Sequence, residues 1–394
     1  MKKITGIVLA VSIMFFCFSA VGLAADDDGA ILTVNTALQV EVNAKACVLM
    51  DTNTGTVLVA NNEDEQLYPA SVTKIMTLLL VCEALDEGKL SLDMNLTCSD
   101  TAALKGGSQI WLEPGEVMSV KDLLKAAVVY SANDACALLG EAVAGSEEAF
   151  VALMNEKAQA LGMNNTHFDN CTGLDDDTEA HKTTAYDIAL MSRALLSHDI
   201  IKEYTGIWMD TLRGGETQLV NTNKLIRYYS GANGLKTGTT SKAGCCISAS
   251  AERDGLELVA VVLGAANSND RFNGARALLD WGFANYEIYK PSIDAAALPQ
   301  IPVAHGVKAE LQLCAPDTHE LLVNRGAGAK IEQSLSFPES VEAPIEKGQA
   351  IGKAVFSAGG TKIAEYDICA AESVEQMTLS NALLALLKSF KVCK

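Results

Sequence analysis

The chain has 394 residues, of which 49% are hydrophobic, so it is long and apolar enough to bury the cores of two or more domains. Its formal net charge is −19. This charge argues against a nucleic-acid partner, because the neutralisation of phosphates requires a basic face.

The N-terminal segment has the pattern of a secretory signal peptide. Lys2 and Lys3 give it a basic start, residues 4–20 are almost wholly apolar, and small residues follow up to Ala25. An uncleaved membrane anchor is the alternative, but the apolar run is short for a stable span. We therefore expect residues 1–24 to be removed on export. The rest of the chain is then secreted, periplasmic or held at the outer face of the cell membrane.

The next segments predict an α+β arrangement, in which an antiparallel sheet frames a cluster of helices. A hairpin is predicted over 44–60, and a helix over 71–88 that is apolar nearly all round and is therefore buried at the centre. Strands over 245–251 and 256–263 flank a turn sequence. Apolar residues at spacings of three and four predict further helices over 121–129, 134–144, 147–161, 184–197 and 270–286.

The composition changes after Pro291. Short alternating segments separated by turns predict a small all-β domain over 295–371, without a catalytic cluster. Residues 372–394 place apolar side chains on one helical face and polar ones on another. This helix either docks on the β domain or lies in a membrane surface. The predicted division is therefore a signal peptide, a catalytic domain over 30–290, the β domain and the terminal helix.

The eleven cysteines do not form a compact disulfide framework. Cys82 and Cys136 fall in apolar helical stretches, where a cysteine behaves as a small core residue. Cys245 and Cys246 are neighbours in a strand, so their side chains face opposite ways. We expect mostly free thiols. The histidines are scattered, and no Cys-x-x-Cys pair occurs, so neither a metal site nor a cofactor is predicted.

Three short motifs carry the chemistry: Ser71-Val-Thr-Lys74, Ser131-Ala-Asn133 and Lys236-Thr-Gly238. Three residues apart on a helix, Ser71 and Lys74 lie on the same side, which places an amine beside a hydroxyl. Ser131-Ala-Asn133 also suits an ordinary helix N-cap, and Lys236-Thr-Gly238 plain turn chemistry. The occurrence of all three motifs in this order, each at the end of a predicted element, indicates that their side chains converge on one cleft.

These motifs are those of penicillin-binding proteins and class A β-lactamases. Longer stretches resemble the D-alanyl-D-alanine carboxypeptidases, the low-molecular-mass penicillin-binding proteins, best over residues 38–290. The stretches are Tyr68-Pro-Ala-Ser-Val-Thr-Lys-Ile-Met-Thr77, Ser131-Ala-Asn-Asp134, Leu161-Gly-Met-Asn-Asn-Thr-His-Phe168, Gly234-Leu-Lys-Thr-Gly238 and Trp281-Gly-Phe283. The resemblance implies a β-lactamase-like catalytic fold, peptidoglycan stem peptides ending in D-Ala-D-Ala as substrates, and acylation by β-lactam antibiotics. It also implies that the terminal helix anchors the protein on a membrane surface.

Residue chemistry indicates how the cleft works. Ser71 is the expected nucleophile toward the carbonyl of the penultimate D-alanine, and Lys74 must be partly neutral to accept its proton. Burial beside another cation lowers a lysine pKa, and Lys236 is expected to be that cation. Ser131 can relay a proton to the departing D-alanine, and Asn133 can hydrogen-bond the amide backbone of the substrate.

Two further groups of the substrate need partners. The tetrahedral oxyanion requires two donors, of which the backbone amide of Ser71 at its helix start is one. The resemblance gives the amide of Thr239, which follows Gly238, as the other. It also assigns the terminal carboxylate to Thr237 and Arg271, and a guanidinium suits that group bidentately.

Alternatives remain at this stage. A β-lactamase shares the acylation machinery but needs a carboxylate-activated water, and no Glu-x-x-x-Asn-like motif follows Asn133 in the expected place. A non-catalytic cell-wall or penicillin-binding protein is the other alternative, although all the chemical residues are intact. Endopeptidase or transpeptidase activity at the same site is also compatible with the motifs.

Four residues near the motifs are expected to be structural. His167 and His181 are not needed as bases, because the serine–lysine pair requires no histidine. Cys171 stands where the resembled family usually has proline, and Cys246 where an aromatic residue is common. These departures concern local packing and not the proposed chemistry.

Overall fold

The structure is a computed structural model that describes residues 40–175, 178–383 and 386. The signal peptide predicted over 1–24 lies outside the described residues. The first part of the chain forms an antiparallel central sheet with the strand order β2-β1-β9-β8-β7. The strands of this first part are β1 Ala46–Asp51, β2 Val57–Asn61, β3 Asn95–Thr97, β4 Val117–Ser119, β5 Met209–Leu212, β6 Thr217–Val220, β7 Ala232–Thr240, β8 Gly244–Arg253 and β9 Leu256–Ala265.

Helices cover both faces of this sheet, and the sequence of its strands explains why both faces are buried. Side chains of a strand alternate between faces, so a strand buried on both sides is apolar along nearly its whole length, as β9 is apart from Glu257. Val259 and Val261 pack into the core around α1, whereas Leu258 and Ala260 pack against α9. The helices are α1 Lys74–Asp86, α2 Asp100–Ala103, α3 Val120–Lys125, α4 Asn133–Ala144, α5 Glu147–Ala160, α6 Ala185–Leu196, α7 Asp199–Thr205, α8 Leu225–Tyr228 and α9 Ser268–Asn285.

Helix α1 occupies the centre of the larger core, as its apolar sequence predicts. Every residue from Lys74 to Cys82 is buried. A short 3-10 turn over Ala70–Thr73 precedes it, so the α-helix begins at Lys74 rather than at Ser71. The helix predicted over 121–129 also differs, because α3 ends at Lys125 and a π-helical turn continues over Ala126–Tyr130. The predicted helices over 134–144, 147–161, 184–197 and 270–286 are confirmed to within two residues.

The strand that carries the third motif is longer than the sequence predicts. The third motif was expected at the end of an element, but β7 begins at Ala232, and Lys236 lies in its middle. Asn233 and Gly234 disfavour a strand by propensity, yet pairing with β8 overrides that preference. The hairpin of β5 and β6 was not predicted at all. As the outer strand of the sheet, β7 presents an edge beside the turn that carries Ser71.

The last part of the described chain is all-β. Its largest sheet has the order β13-β18-β17-β15 and packs around Phe356, Tyr366 and Ile368. The α+β fold with a following all-β domain, expected from the sequence, is therefore confirmed. The strands are β10 Tyr286–Tyr289, β11 Ile301–Ala304, β12 Glu310–Leu311, β13 Leu313–Cys314, β14 Leu321–Asn324, β15 Glu332–Ser336, β16 Val341–Glu342, β17 Ala350–Ala358 and β18 Thr361–Ala370.

Backbone and side-chain contacts join the β-rich part to the rest. Strand β10 follows α9 directly and pairs antiparallel with β14. The Arg325 guanidinium donates from Nε to the carbonyl of Phe283 at 2.8 Å and from Nη2 to the carbonyl of Tyr286 at 3.3 Å. Asn53, in the turn between β1 and β2, donates to Glu320 at 3.2 Å. The two parts are thus linked by a two-stranded sheet, by the hydrogen bonds of Arg325 and by a loop contact.

The terminal helix differs from its prediction over 372–394. Val374 is buried in the β-rich part, where its backbone pairs with Ile345, so this residue belongs to the domain and not to a helix face. Residues 379–383 are helical, and most of the following segment lies outside the described residues. In the described portion of the chain, no helix has both the length and the apolar content required to cross a bilayer.

Candidate active site

The first motif brings its serine and lysine into direct contact. Lys74 Nζ lies 2.9 Å from Ser71 Oγ. The same amine donates to the carbonyl of Thr172 at 2.8 Å. Lys74 is completely buried, although it is the first residue of α1. With one hydrogen directed to Thr172, a neutral Lys74 amine has its lone pair available for the serine hydroxyl.

The electrostatics of the site disfavour charged lysines. Burial lowers the pKa of Lys74 from its usual value. The pKa of Lys236 is lowered well below its usual value, first by burial and then by the repulsion of Lys74 and Arg271. Burial, rather than the Lys236 charge expected from the sequence, is thus the leading cause at Lys74. The repulsion between two buried ammonium groups is mutual, so the pocket favours a state in which one of the two lysines is neutral.

A polar loop over residues 170–174 holds the lysine in place. Asn170 Oδ1 accepts from the backbone amides of Thr172 and Gly173, at 3.1 and 2.7 Å, and from the Thr172 hydroxyl. A side chain at Gly173 would place Cβ 1.8 Å from the carbonyl oxygen of Ala70, so only glycine allows this approach. The loop therefore orients the Thr172 carbonyl toward Lys74.

The second motif is positioned by an unusual backbone. Ser131 has a left-handed φ of 66° where the π-helical turn ends, and it is 4% exposed. Such a conformation is costly for a residue with a side chain and clusters at functional sites. Among the described residues, no hydrogen bond joins Ser131 to Lys74 or to Lys236. The structure thus buries Ser131 beside α4 without fixing its hydroxyl on either lysine.

The side-chain amide of Asn133 is hydrogen-bonded through its nitrogen, whereas its oxygen has no donor among the described residues. Its Nδ2 donates to the carbonyl of Gly106 at 2.6 Å, and its backbone amide donates to the carbonyl of Ser108 at 2.7 Å. Its Oδ1 is buried and has no donor within hydrogen-bonding distance among the described residues. A buried amide oxygen without a donor is costly in a folded protein. It is therefore suited to accept an N–H group from a bound peptide.

The third motif lies directly against Ser71. Gly238 of β7 is so close to the turn of Ser71 that an added Cβ would stand 2.8 Å from the Ser71 amide nitrogen and 2.8 Å from the carbonyl oxygen of Pro69. Glycine at this position thus brings the outer strand up to the nucleophile's own amide. The next residue, Thr239, lies on the same stretch of strand, opposite Cys245 of β8.

Arg271 reaches the same stretch from α9. Its Nη1 donates to the carbonyl of Gly238 at 3.1 Å and to the hydroxyl of Thr239 at 3.1 Å. It is 7% exposed, burial lowers its pKa, and its Nε has no acceptor among the described residues. Thr237, the residue expected to pair with Arg271, instead donates to the hydroxyl of Thr222 at 2.7 Å. Arg271 is therefore held beside Thr239.

The histidines make structural hydrogen bonds. The amide of Asp169 donates to His181 Nδ1 at 3.0 Å, so the proton of the neutral ring is on Nε2, which lies 2.8 Å from Thr73 Oγ1. Burial lowers the pKa of His181 to about 4. His167 lies on the surface, 3.0 Å from Asp169. Neither ring has a hydrogen bond to Ser71 or Lys74.

Both cysteine departures fit the local packing. Cys171 is fully buried, and its thiol donates to Glu147 at 3.3 Å. The backbone carbonyl of Cys171 accepts from Thr77 at 2.6 Å. Cys246 is fully buried in β8, where its carbonyl accepts from Arg271. Burial raises the pKa of Cys246 to about 11.

Sequence reasoning missed several groups that shape the site. Thr172 acts through a backbone carbonyl, which residue type does not reveal. Asn170, two residues before Thr172, could have been found, because asparagine before glycine commonly forms such a local turn. Thr222 and Gly106 come from segments that carried no motif. In the described residues, no cluster of three or more histidine, cysteine or carboxylate side chains is arranged for a metal ion.

The arrangement combines a nucleophile, an amine of lowered pKa, an open amide oxygen and the outer strand of a sheet. Nucleophilic attack by Ser71 on a carbonyl group is the chemistry that this set supports. A buried arginine beside the strand adds a positive group. The site is therefore suited to acyl transfer from a peptide that lies along β7.

Comparison with known proteins places these features in a family. The family described as D-alanyl-D-alanine carboxypeptidase matches residues 33–267, and the one described as penicillin-binding protein 5, C-terminal domain, matches residues 289–376. The chain is 39% identical to D-alanyl-D-alanine carboxypeptidase DacF of Bacillus subtilis (strain 168), over 84% of this chain and 86% of that protein.

Solved structures agree with this. Penicillin-binding protein 5 from Haemophilus influenzae superposes with a TM-score of 0.71 at 30% identity, covering 86% of this chain and all of that one (100%). Penicillin-binding protein D2 from Listeria monocytogenes, in its ampicillin-bound form, superposes with a TM-score of 0.57 at 33% identity, covering 63% of this chain and 100% of that one.

Proposed function

The chain belongs to the D-alanyl-D-alanine carboxypeptidase family, and on this basis we propose that Ser71, Lys74 and Ser131 carry out its reaction. The protein is a serine-type hydrolase that removes the terminal D-alanine from peptides ending in D-Ala-D-Ala. The observation that carries the assignment of residues is the 2.9 Å contact between Ser71 Oγ and the fully buried amine of Lys74.

In the acylation step, Ser71 Oγ attacks the carbonyl carbon of the penultimate D-alanine while Lys74 takes the hydroxyl proton. The lowered pKa of Lys74 supports this role, because a base must be unprotonated to act. Ser131 passes a proton to the nitrogen of the departing D-alanine when the peptide bond breaks. The buried, left-handed position of Ser131 beside α4 supports that relay.

Three contacts hold the substrate during this step. The amides of Ser71 and Thr239 stabilise the oxyanion, which the close approach of Gly238 to Ser71 supports. Asn133 Oδ1 accepts an N–H group of the stem peptide. Arg271, with Thr237, Lys236 and the Thr239 hydroxyl, attracts the terminal carboxylate, and the unpartnered Nε of Arg271 supports a binding role.

Deacylation uses the same lysine. Once D-alanine has left with its proton, Lys74 is neutral again and can activate the water that hydrolyses the ester at Ser71. A β-lactamase instead places a carboxylate for this purpose. Asp175, a carboxylate in the loop after residue 174, accepts from the Thr240 hydroxyl at 2.5 Å. We therefore propose slow turnover of β-lactams and peptidase activity as the main function.

The location of the enzyme is part of the proposal. The predicted signal peptide places the catalytic domain, 30–290, outside the cytoplasm, where peptidoglycan stem peptides occur. The β domain, 295–371, then separates the site from the terminal segment. Leu379, Leu383 and Leu386 are 91%, 60% and 56% exposed and recur at spacings of four and three, as on one face of a helix. This apolar face supports peripheral attachment to a membrane surface.

One experiment tests the reaction and its nucleophile. The purified protein is incubated with a fluorescent penicillin and, separately, with a peptide ending in D-Ala-D-Ala. We expect a long-lived label on Ser71 and release of D-alanine, and we expect Ser71→Ala to lose both. Labelling that survives Ser71→Ala would refute the nucleophile. Rapid penicillin hydrolysis without D-alanine release would identify a β-lactamase.

A second experiment tests the carboxylate site. Arg271→Gln should weaken kcat/KM for a peptide with a free terminal carboxylate much more than for the same peptide with an amidated end. An equal loss on both peptides would assign Arg271 to supporting β7 through Gly238 rather than to the substrate. Arg253→Gln, which changes an arginine bound to Ser230 on the surface, is the matched control.

A further inference from the structure

The β-rich part carries a pair of cysteines on adjacent strands. Cys314 of β13 and Cys369 of β18 stand directly opposite each other in the antiparallel register. Cα atoms of directly opposed residues are about 4.5–5.5 Å apart, which falls inside the roughly 4.4–6.8 Å range of disulfide-linked cysteines. Neither strand would have to shift along the other for the two sulfur atoms to meet.

The Cys314 sulfur and the exposures agree with this geometry, whereas the Cys369 thiol lies 3.8 Å from the carbonyl oxygen of Asp367 on its own strand, so it changes rotamer to meet Cys314. The Cys314 thiol lies 3.4 Å from the carbonyl oxygen of Cys369, so it points across the strand pair toward its partner. Cys314 is exposed and Cys369 is partly exposed. A solvent-borne oxidant can therefore reach the pair without any opening of a core.

The other described cysteines lack this combination. Those that are buried are Cys47, Cys82, Cys98, Cys136, Cys171 and Cys246. Burial raises the pKa of each of these thiols, which suppresses the reactive thiolate. Cys245 is partly exposed, but the residues opposite it are Thr239 and Ala265. Among the described cysteines, only those on β13 and β18 stand directly opposite each other and are also accessible to solvent.

We propose that Cys314 and Cys369 are a redox-sensitive modification site that forms a reversible cross-strand disulfide. The oxidant is a small-molecule or protein disulfide of the extracytoplasmic space. This choice rests on the export proposed above, although the chemistry requires only the folded protein. The expectation of mostly free thiols then applies to the buried cysteines and not to this pair.

The chemistry balances as two exchange steps. The thiolate of Cys314, the more exposed residue, attacks one sulfur of the oxidant; a mixed disulfide forms, and one thiolate leaves. The thiolate of Cys369 then attacks Cys314 Sγ, forms the bond within the protein and expels the second thiolate. Two protein thiols lose two electrons and two protons, and one oxidant disulfide is reduced to two thiols. Partial burial raises the pKa of Cys369, which favours Cys314 as the first attacker.

The position of the bond gives it a structural effect. It encloses residues 315–368, which contain β14, β15, β16, β17 and most of β18. Strand β13 has just Leu313 and Cys314 and lies at the edge of its sheet. Closing a long loop restricts the unfolded chain, and a covalent link also prevents so short an edge strand from detaching. Oxidation should therefore stabilise the β-rich part and leave the site of Ser71 unchanged.

The test is direct. The purified full-length protein is incubated with oxidised glutathione, free thiols are alkylated, and the digest is analysed by mass spectrometry. We expect a peptide pair linked through Cys314 and Cys369, an upward shift of the thermal-unfolding midpoint that dithiothreitol reverses, and an unchanged rate of penicillin acylation. Cys314→Ser and Cys369→Ser should each abolish the linked peptide and the shift, whereas Cys245→Ser should keep both.

Two results would overturn the proposal. One is recovery of Cys314 and Cys369 as separately alkylated or glutathionylated residues after oxidation of the wild type. The other is a stability shift that persists in both serine variants. The linked peptide is detected on the wild-type protein, so a variant that folds poorly does not affect this readout. Because penicillin acylation is measured independently, failure of the disulfide does not bear on the proposed peptidase site, and the reverse also holds.

Discussion

At the scale of single residues, the proposed reaction depends on a lysine that must lose its charge. Lys74 is buried without a carboxylate among its hydrogen-bond partners, and its amine touches a hydroxyl and a carbonyl. Desolvation without a counter-ion is the simplest means of lowering a lysine pKa.

Lys74→Arg tests this role. Arginine keeps the positive charge but does not give up a proton at accessible pH, so the general base is lost. Removal of a general base costs about 10²–10⁴-fold in rate. We expect acylation by a fluorescent penicillin to slow by that order, measured by stopped-flow or time-course labelling. Lys89→Arg, which changes an exposed lysine, should react at the wild-type rate. A Lys74→Arg rate near that of the wild type would remove Lys74 from proton transfer.

His181 provides a prediction for stability against pH. Its folded pKa is about 4, below its usual value of 6.5, so the folded state binds the proton less well than the unfolded chain does. Stability from this residue is therefore present above pH 6.5 and is lost as the pH falls from about 6.5 toward 4. A shift of this size corresponds to about 3 kcal/mol. His181→Gln should flatten the pH dependence of denaturant unfolding in this window. A wild-type slope that persists in the variant would place the titrating group elsewhere.

At this scale, a group could be predicted from the sequence when it is a side chain of a recognisable pattern, but not when it is a backbone atom. Ser71 and Lys74 were predictable as a pair because the helical period places them together. The Thr172 carbonyl was not, because backbone acceptors are set by the path of a loop and not by residue type. The pairing of Arg271 with Thr239 rather than Thr237 was not predictable either, because the two threonines are two residues apart on the same face of β7, so alternation along the strand does not distinguish them.

At the scale of elements, the close approach of β7 to the turn of Ser71 determines the geometry of the site. The edge of β7 reaches the nucleophile because residue 238 has no side chain. The sequence predicted the strand and its motif but not its start at Ala232, since the preceding residues are poor strand formers. Long apolar elements such as α1 and β9 were predictable, because burial on all sides leaves a continuous signature.

Gly238→Ala tests that approach. The new methyl group would stand 2.8 Å from the Ser71 amide nitrogen, so the strand must retreat from the oxyanion position. A displacement of about 1 Å at a reacting centre can cost about 10²-fold in rate. We expect a loss of this order in penicillin acylation, with a near-native circular dichroism spectrum. Gly206→Ala, whose methyl group would meet no atom closer than 3.6 Å, should retain activity. Full activity in Gly238→Ala would contradict the tight approach.

At the scale of the whole molecule, the β-rich part is joined firmly to the catalytic part. The pairing of β10 with β14 and the contacts of Arg325 make a continuous connection from α9 to the last strands. The sequence predicted a small β domain from its alternation and turns. It placed the start of the terminal helix too early, because Val374 has helical spacing to its neighbours but is buried by pairing with Ile345.

The terminal segment yields a prediction about membranes. Leu383→Asp combined with Leu386→Asp removes two exposed leucines from one face. Burial of one leucine contributes about 1.5–3 kcal/mol, so vesicle binding should weaken by tenfold or more. Co-sedimentation with phospholipid vesicles measures this. Ser380→Asp combined with Asn381→Asp adds the same charge to polar positions and should have a smaller effect. Equal loss in both variants would indicate simple charge repulsion, and activity in solution should be unchanged in both.

The burial of Lys74 has a consequence for the order of chemical events. An amine that is 0% exposed has little direct access to bulk water, so in the proposed reaction we expect its proton to pass to a group within the site. The proton taken from Ser71 is therefore confined, and it leaves the site with the departing amine. Formation of the ester and expulsion of D-alanine are thereby coupled by proton conservation. An acylating molecule whose amine stays attached after the bond breaks keeps that proton, and its own bulk, next to Ser71. The retained bulk is expected to hinder the entry of the hydrolytic water, which fits the slow turnover of β-lactams proposed above.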